Sequence, residues 1–220
     1  MKRFYIFLMT LMLVFGISAS GHATLIDMGD GTIYDDDLQL SWLKNANTNG
    51  LMNWSAANTW ADNLVFATFD NWRLPTVTDI GNDGCNYGYT GTDCGFNVNT
   101  STGEMAHLFY DELGNKAYFN TSGSGPQSGW GLTNTGPFTN LQPTIYWSGT
   151  EYAPSTDLAW NFYFSNGYQF AGSKNGNFYA LAVSPGQRST SVPEPATLLL
   201  LGSGLAGIVV WRKRLGRKEG

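Results

Sequence analysis

The sequence predicts an α+β domain, with helices in its first half and antiparallel strands in its last third. Its 220 residues are rich in Trp, Tyr, Phe and Gly and suffice for one domain with its own core. Helical periodicity occurs early, whereas the last third consists of short aromatic runs separated by turn residues. These observations predict two or three short helices and an antiparallel sheet.

Two or three short helices are expected in the first half of the chain. Ser55 is the predicted cap of the first helix, which places its apolar residues on one face. Thr76 and Asp79 form a capping box that predicts a second, short helix. A third helix is predicted over 103–113, with Gly114 after its end.

Strands are expected at both ends of the domain. The early strands, 24–28 and 38–43, are predicted to flank a Gly-Asp-Gly turn at 29–31. The late strands are aromatic runs, and the sequences Ser-Asn-Gly at 165–167 and Lys-Asn-Gly at 174–176 are typical of hairpin turns.

The N-terminal segment, residues 1–23, has the layout of a secretory signal peptide. Lys2 and Arg3 precede an apolar stretch, and the small residues Gly21 and Ala23 precede the predicted cleavage site. A retained membrane anchor is the alternative, but the apolar stretch is too short to span a bilayer comfortably. We therefore expect export through the inner membrane by the Sec machinery.

The C-terminal segment, residues 189–220, contains a proline-rich motif, an apolar helix and a basic cluster. The predicted transmembrane helix at 196–211 would be about 24 Å long, which is a marginal span for a bilayer core of about 30 Å. The basic residues that follow it favour a body outside the cytoplasm. They are Arg212, Lys213 and Arg214.

The order of Val192-Pro193-Glu194-Pro195, apolar helix and basic cluster resembles the PEP-CTERM sorting signal of Gram-negative bacteria that make exopolysaccharide. The resemblance implies recognition by an exosortase in the inner membrane, cleavage near the Pro-Glu-Pro motif, and delivery of the body to the cell surface or extracellular matrix. The C-terminal helix would then hold the chain in the inner membrane transiently, and an unprocessed chain would stay anchored there.

The body of the chain between these segments is acidic. Residues 24–192 contain 5 basic and 15 acidic residues, which gives a net charge of −10 with His neutral, against −5 for the whole chain. Such a surface repels phosphate backbones, so we expect no nucleic-acid partner. Neutral glycans, or cation-mediated contacts with acidic polysaccharides, suit this charge better.

The domain, with predicted bounds 24–188, resembles the Lcl C-terminal domain family, a family of unknown function. The likeness rests on Trp72-Arg73-Leu74-Pro75-Thr76 and on Tyr146-Trp147-Ser148 followed by a late hairpin. It implies a C-type-lectin-like fold, related to the formylglycine-generating enzyme fold, and a role in adhesion or glycan contact on bacterial surfaces.

Cys85 and Cys94 lie in a loop rich in Gly, Asn, Thr and Asp. Two cysteines in an exported protein usually pair, and closing a loop of about ten residues stabilises a fold by roughly 2.5 to 3 kcal/mol in the chain-entropy model. The alternatives have less support. Formylglycine-generating enzymes carry their paired cysteines in a late active-site segment that this chain lacks, and two cysteines alone rarely bind a metal.

Few other residues suggest catalysis. His107, the histidine that remains after removal of the signal peptide, is predicted on a solvated helix face near Glu104 and Asp111. The sequence contains no nucleophile elbow, P-loop or dinucleotide fingerprint. We therefore predict a protein that is not an enzyme and needs no cofactor, with a relative of the formylglycine-generating enzymes as the less favoured alternative.

Calcium is the one ion that the sequence leaves open. Aspartates crowd around the turn at 29–31, and carboxylate oxygens are the ligands that Ca²⁺ prefers. A plain hairpin turn is the alternative, because the spacing departs from that of an EF-hand loop. The candidate ligands are Asp27, Asp30, Asp35 and Asp37.

Exposed tyrosines are the candidate glycan contacts, because their large rings present apolar faces and a polar tip. Arg73, in contrast, is predicted to form a buried structural ion pair. Two functions follow: a non-catalytic surface or matrix protein that contacts exopolysaccharide or another glycan, and a structural matrix component with no specific ligand. The candidate tyrosines are Tyr87, Tyr89, Tyr152 and Tyr168.

Overall fold

The computed structural model describes residues 25–80, 88–89 and 91–186. In this part of the chain the helices are α1, Trp54–Asp62, a short 3-10 helix, Thr100–Thr102, and α2, Glu104–His107, which continues directly into a π-helical turn, Leu108–Glu112. The strands are β1 Leu25–Asp27, β2 Thr32–Asp35, β3 Leu40–Leu43, β4 Gly95–Phe96, β5 Ile145–Glu151, β6 Leu158–Tyr163, β7 Tyr168–Ser173 and β8 Val183–Pro185.

The strands form two antiparallel sheets. The first has the order β1-β2-β3-β8 and the second the order β4-β7-β6-β5. In the first sheet, Trp42 on β3 lies opposite Val183 on β8, so the two ends of the domain pair with each other. This arrangement of mostly antiparallel sheet with few short helices confirms the α+β class.

The start of the first sheet differs from the prediction. One hairpin was expected around the glycine turn, but β2 lies between the two predicted strands and makes two hairpins. Ile33 of β2 is fully buried opposite Trp42 of β3, and this packing stabilises a strand of only four residues. Such a short run gives too weak an alternation to be recognised in sequence.

The first predicted helix is confirmed with a shifted start. Its cap is Asn53 rather than Ser55, because the Asn53 side chain accepts a hydrogen bond from the Ala56 N–H at 2.9 Å. The buried residues of α1 are Ala57 and Ala61, as the periodicity indicated.

The second predicted helix, at Thr76, is wrong. The Thr78 N–H donates to the Thr102 carbonyl at 2.6 Å, and the Glu104 N–H donates to the Thr76 carbonyl at 3.1 Å. These long-range bonds hold the segment next to the start of α2, so its backbone groups are satisfied without helical turns.

The third predicted helix is confirmed in position. It begins at Glu104, and Gly114 follows it with a φ of 62°. Its second half is a π-helical turn, in which the Leu113 N–H donates to the Leu108 carbonyl at 3.0 Å. Isolated π turns of this kind are frequent at functional sites.

The larger apolar core contains residues of both sheets and of the α2 region. Phe109 on the π turn is fully buried, and its ring centroid lies 5.3 Å from that of Phe162 and 5.9 Å from that of Phe164. A smaller cluster surrounds Trp160. The largest buried side chains of the main core also include Trp42, Tyr146 and Trp147.

The segment at residues 72–76 links both sheets to α2. The Arg73 backbone exchanges two hydrogen bonds of 2.8 Å with β8, and its guanidinium donates to both carboxylate oxygens of Glu104, at 2.7 and 2.6 Å. The Pro75 carbonyl accepts a hydrogen bond of 2.8 Å from the Ser148 hydroxyl on β5. The predicted structural ion pair of Arg73 is therefore confirmed, but it is half-buried rather than buried, because the Arg73 side chain is 33% exposed.

In the part of the chain that the structure describes, no helix is both long and apolar enough to cross a bilayer. The predicted signal helix and the predicted transmembrane helix lie outside the described residues.

Candidate functional site

Aromatic side chains gather on one face of the second sheet. Phe96 of β4 and Tyr163 of β6 both lie opposite Tyr168 of β7, so the three side chains share a face. Their ring centroids lie 4.6 Å and 5.9 Å from that of Tyr168, and Phe170 stacks on Tyr168 at 5.8 Å. All four rings are partly exposed to solvent.

Two further rings extend this surface beyond the sheet. Tyr89, which is 40% exposed, lies 5.2 Å from Phe119 and 6.4 Å from Phe96 between ring centroids. The Asn97 side chain donates to the carbonyls of Tyr89 and Phe119, at 2.8 and 2.9 Å, which ties both segments to the end of β4. We define the aromatic face as Tyr89, Phe96, Phe119, Tyr163, Tyr168 and Phe170.

A glycine permits the packing of the Tyr89 ring. Gly123 has a φ of 79°, and a Cβ added to it would lie 2.8 Å from the ring of Tyr89. A side chain at this position would therefore be strained and would push the Tyr89 ring aside.

The four tyrosines predicted to contact glycan do not all lie together in the structure. Tyr89 and Tyr168 belong to the aromatic face, and Tyr87 lies outside the described residues. Tyr152 corrects the prediction: it is buried, with its ring edge-on to Trp160 at 5.3 Å, because it completes the smaller core cluster. Glycan contact by Tyr89 and Tyr168 stays a prediction.

The other four members of the aromatic face were not among the predicted contacts. The alternation Tyr-Gln-Phe at 168–170 was a usable signal, because it places Tyr168 and Phe170 on the same side of one strand. Phe96 had no such signal because its strand is two residues long, and Phe119 had none because it lies outside the strands.

The aspartates near the first turn mainly stabilise that turn. Asp27 pairs with Lys44 at 2.5 Å and accepts the Gly29 N–H at 3.1 Å. The Lys44 hydrogen bond, followed by that of Gly29, lowers the pKa of the Asp27 carboxyl. Asp30 accepts hydrogen bonds from the N–H and the hydroxyl of Thr32, at 3.0 and 2.6 Å.

The four-aspartate calcium site is not formed. Among the described residues, no three of these aspartates bring their carboxylate oxygens together, and Asp37 is exposed whereas Asp35 is fully buried. Within the described ranges, the one group of three convergent metal-ligating side chains contains Asp35 together with His107 and Glu112.

His107 is buried, which corrects its predicted place on a solvated face. Its Nδ1 lies 3.2 Å from Asp111 Oδ2, and its Nε2 lies 3.4 Å from Glu112 Oε1. Its neighbours Met105 and Ala106 are also buried. The short α2 helix is therefore packed on more than one side, and an amphipathic pattern does not apply to it.

Asp35, His107 and Glu112 form what we call the carboxylate–histidine cluster. The Glu112 side chain is 1% exposed, and burial, followed by the charge of Asp35, raises its pKa against the opposing effect of His107. Asp35 accepts hydrogen bonds from the Leu38 N–H at 2.9 Å and the Trp42 indole N–H at 3.2 Å. The cluster thus places two carboxylates and one imidazole in a largely dry site.

The remaining candidate residues lie at or beyond the edges of the described structure. Cys94 is buried, no cysteine in the described ranges is free, and Cys85 lies outside those ranges, so the disulfide stays a prediction. The sorting motif at 192–195 and the basic cluster at 212–214 also lie outside the described residues.

Family comparisons define the class of the protein. Residues 191–214 match the PEP-CTERM protein-sorting motif, so this is an exported protein that an exosortase sorts to the cell surface. Residues 31–184, more than half of the chain, match the Lcl C-terminal domain. The chain belongs to the Lcl C-terminal domain family, and both resemblances seen in the sequence are confirmed. No curated protein and no solved structure matches it.

Proposed function

We propose that this protein is a non-catalytic component of the cell surface or extracellular matrix whose domain contacts glycan through the aromatic face. The observation that carries the proposal is the continuous set of six partly exposed rings, four on the second sheet and two beside it. Clustered exposed apolar groups of this kind mark interaction surfaces. Sugar rings, which have apolar C–H faces and polar hydroxyl edges, match tyrosine rings in both respects.

The rigidity of the aromatic face supports this role. Four of its rings belong to neighbouring strands in fixed register, and Tyr89 and Phe119 are held through Asn97. Rings that are already positioned lose little conformational freedom on binding, so more of the contact energy remains as affinity.

Charge favours a neutral glycan as the ligand. The body carries a net charge of −10, from 5 basic and 15 acidic residues in 24–192. Lys44, Arg73 and Lys174 are each paired with a carboxylate, which leaves little positive charge for an acidic polysaccharide. Neutral segments of exopolysaccharide are therefore the expected partner, and nucleic acid is not.

The proposed route brings the domain to such a partner. Sec export followed by exosortase processing releases the body from a transient anchor in the inner membrane and delivers it to the surface or matrix. A C-type-lectin-like fold, which the family resemblance implies, agrees with glycan contact at this location.

Binding of the full-length protein, purified in detergent, to the exopolysaccharide of the producing bacterium and to a neutral glucan tests the proposal. We expect saturable binding that a chelator leaves unchanged, and at least a tenfold loss in Tyr168→Ala and Tyr89→Ala. Val65→Ser is the control, because Val65 is 75% exposed and lies outside the aromatic face. Absence of saturable binding would instead support a structural matrix component with no specific ligand.

A further inference from the structure

We propose that the carboxylate–histidine cluster of Asp35, His107 and Glu112 binds one first-row divalent cation of the Zn²⁺ or Mn²⁺ type. This site is separate from the aromatic face and does not depend on glycan binding. The cation would join the end of β2 to both ends of the π-helical turn.

The spacing of the ligand atoms suits a single ion. One nitrogen and two carboxylate oxygens lie within 4.8 Å of one another, and His107 Nε2 is 3.4 Å from Glu112 Oε1. Ligands about 2.1 Å from a tetrahedral ion are about 3.4 Å apart. One pair is therefore already at the coordination distance, and the third oxygen needs to approach by at most about 1.4 Å, within the range of a small side-chain rotation.

Two buried atoms of the cluster lack a hydrogen-bond partner, and both point into it. These are His107 Nε2 and Glu112 Oε1, whose side chains are 11% and 1% exposed. A buried polar atom without a partner costs free energy comparable to a lost hydrogen bond, and a buried carboxylate costs more. A cation between the nitrogen and the oxygen would satisfy both.

Neighbouring groups orient the ligands as metal sites require. Asp111 Oδ2 lies 3.2 Å from His107 Nδ1, which favours the proton on Nδ1 and directs the Nε2 lone pair towards Glu112. Asp35 is fixed by hydrogen bonds from Leu38 and Trp42, and each of its oxygens keeps a further lone pair. Such outer contacts typically accompany metal-bound histidines and carboxylates.

The ligand set selects the class of cation. One imidazole with two carboxylates suits first-row divalent ions. Calcium prefers six to eight oxygen ligands and flexible, hydrated sites, which this buried group does not offer. The negative charges of the two carboxylates would be balanced by the divalent ion.

The test uses the full-length protein in detergent, stripped with chelator and titrated with ZnCl₂, MnCl₂ and CaCl₂. We expect Zn²⁺ or Mn²⁺ to bind in a ratio of one per chain and to raise the melting temperature, by roughly 5 to 10 °C at a hundredfold excess over Kd. Ca²⁺ is expected to bind at least tenfold more weakly.

Glu112→Gln and His107→Gln are expected to lose at least tenfold in affinity together with the thermal shift. Glu151→Gln is the matched control, because Glu151 is an exposed carboxylate paired with Lys174 outside the cluster. Both cluster variants keep a neutral side chain that can hydrogen-bond, and their circular dichroism spectra show whether they fold.

Two results would overturn the proposal. One is the absence of stoichiometric binding to the wild-type protein, which would mean that the direct contact of 3.4 Å between His107 Nε2 and Glu112 Oε1 satisfies the cluster without an ion. The other is equal binding by the folded Glu112→Gln variant, which would place the ion elsewhere. Neither result bears on the aromatic face, so the two proposals fail separately.

Discussion

The aromatic face and the carboxylate–histidine cluster differ in exposure and in how the chain builds them. Half of the aromatic face comes from β6 and β7, which are joined by a tight hairpin, and its rings remain partly exposed. The cluster joins β2 to the α2 region, far along the chain, and is buried. Clustered rings that reach the surface can contact a partner, whereas buried polar groups must be satisfied within the protein or by a bound ion.

The largest expected effect is the loss of stability when a buried ring is removed, which should exceed the loss at a partly exposed ring. Phe109→Ala removes a fully buried ring beside Phe162 and Phe164 and should lower the free energy of unfolding by about 3 to 5 kcal/mol. Phe170→Ala, on the aromatic face, should cost less than about 1.5 kcal/mol because its ring is only partly buried. Urea unfolding followed by tryptophan fluorescence measures both. Equal losses would mean that the aromatic face is part of the core.

The next largest effect is the loss of stability on breaking an ion pair, which should be greater for Arg73–Glu104 than for Lys174–Glu151. Arg73→Met leaves the Glu104 carboxylate, which is 16% exposed, with only backbone donors, and should lower the free energy of unfolding by about 2 to 3 kcal/mol. Lys174→Met breaks the more exposed pair with Glu151 and should cost less than about 1 kcal/mol. The same unfolding measurement applies. An effect of Lys174→Met as large as that of Arg73→Met would contradict the structural role of the 72–76 segment.

Ring and hydroxyl contributions at the aromatic face are separable. If stacking carries glycan binding, Tyr168→Phe should keep affinity within about threefold, whereas Tyr168→Ala should lose tenfold or more, equal to about 1.4 kcal/mol. Isothermal titration with a neutral glucan measures both variants. Similar losses in the two would assign binding to the hydroxyl rather than to the ring.

Sequence predicted most of the fold where the pattern was local. The helix α1, the position of the third helix and the β6–β7 hairpin follow from periodicity and turn residues near one another in the chain. The false helix at Thr76 and the missed strand β2 depend on partners distant in sequence, namely Thr102 and the strand pairing with β3. Local propensity does not contain that information.

The residues of the candidate sites were also predicted less well where their surroundings depend on distant parts of the chain. Tyr168 was recognisable as a surface aromatic, but Tyr152 was assigned to the surface although it completes a core cluster. His107 was assigned to solvent because a free-standing helix has an outer face, and packing on several sides removes that face. Of the proposed metal ligands, only Asp35 was among the candidate ligands, because the other two reach it through the tertiary fold alone.

A pH dependence of stability also arises in the core. Burial raises the pKa of Tyr146 to about 12 from its ordinary value of 10.0. Between these two values the unfolded chain loses the phenol proton first, so the folded state binds more protons and stability falls as pH rises. Tyr146→Phe removes this contribution, and its stability should fall less steeply than that of the wild type from about pH 10 to 12.

The same variant has a defined cost at neutral pH. Tyr146 Oη accepts the Gln142 N–H at 3.0 Å, so its loss should lower the free energy of unfolding by about 0.5 to 1.5 kcal/mol at pH 8, where the phenol is protonated in both states. Other buried tyrosines, such as Tyr110, contribute equally in both proteins and cancel in the difference. Urea unfolding at half-unit steps of pH therefore isolates Tyr146, and curves that stay parallel up to pH 12 would show that its phenol is not protected by the core.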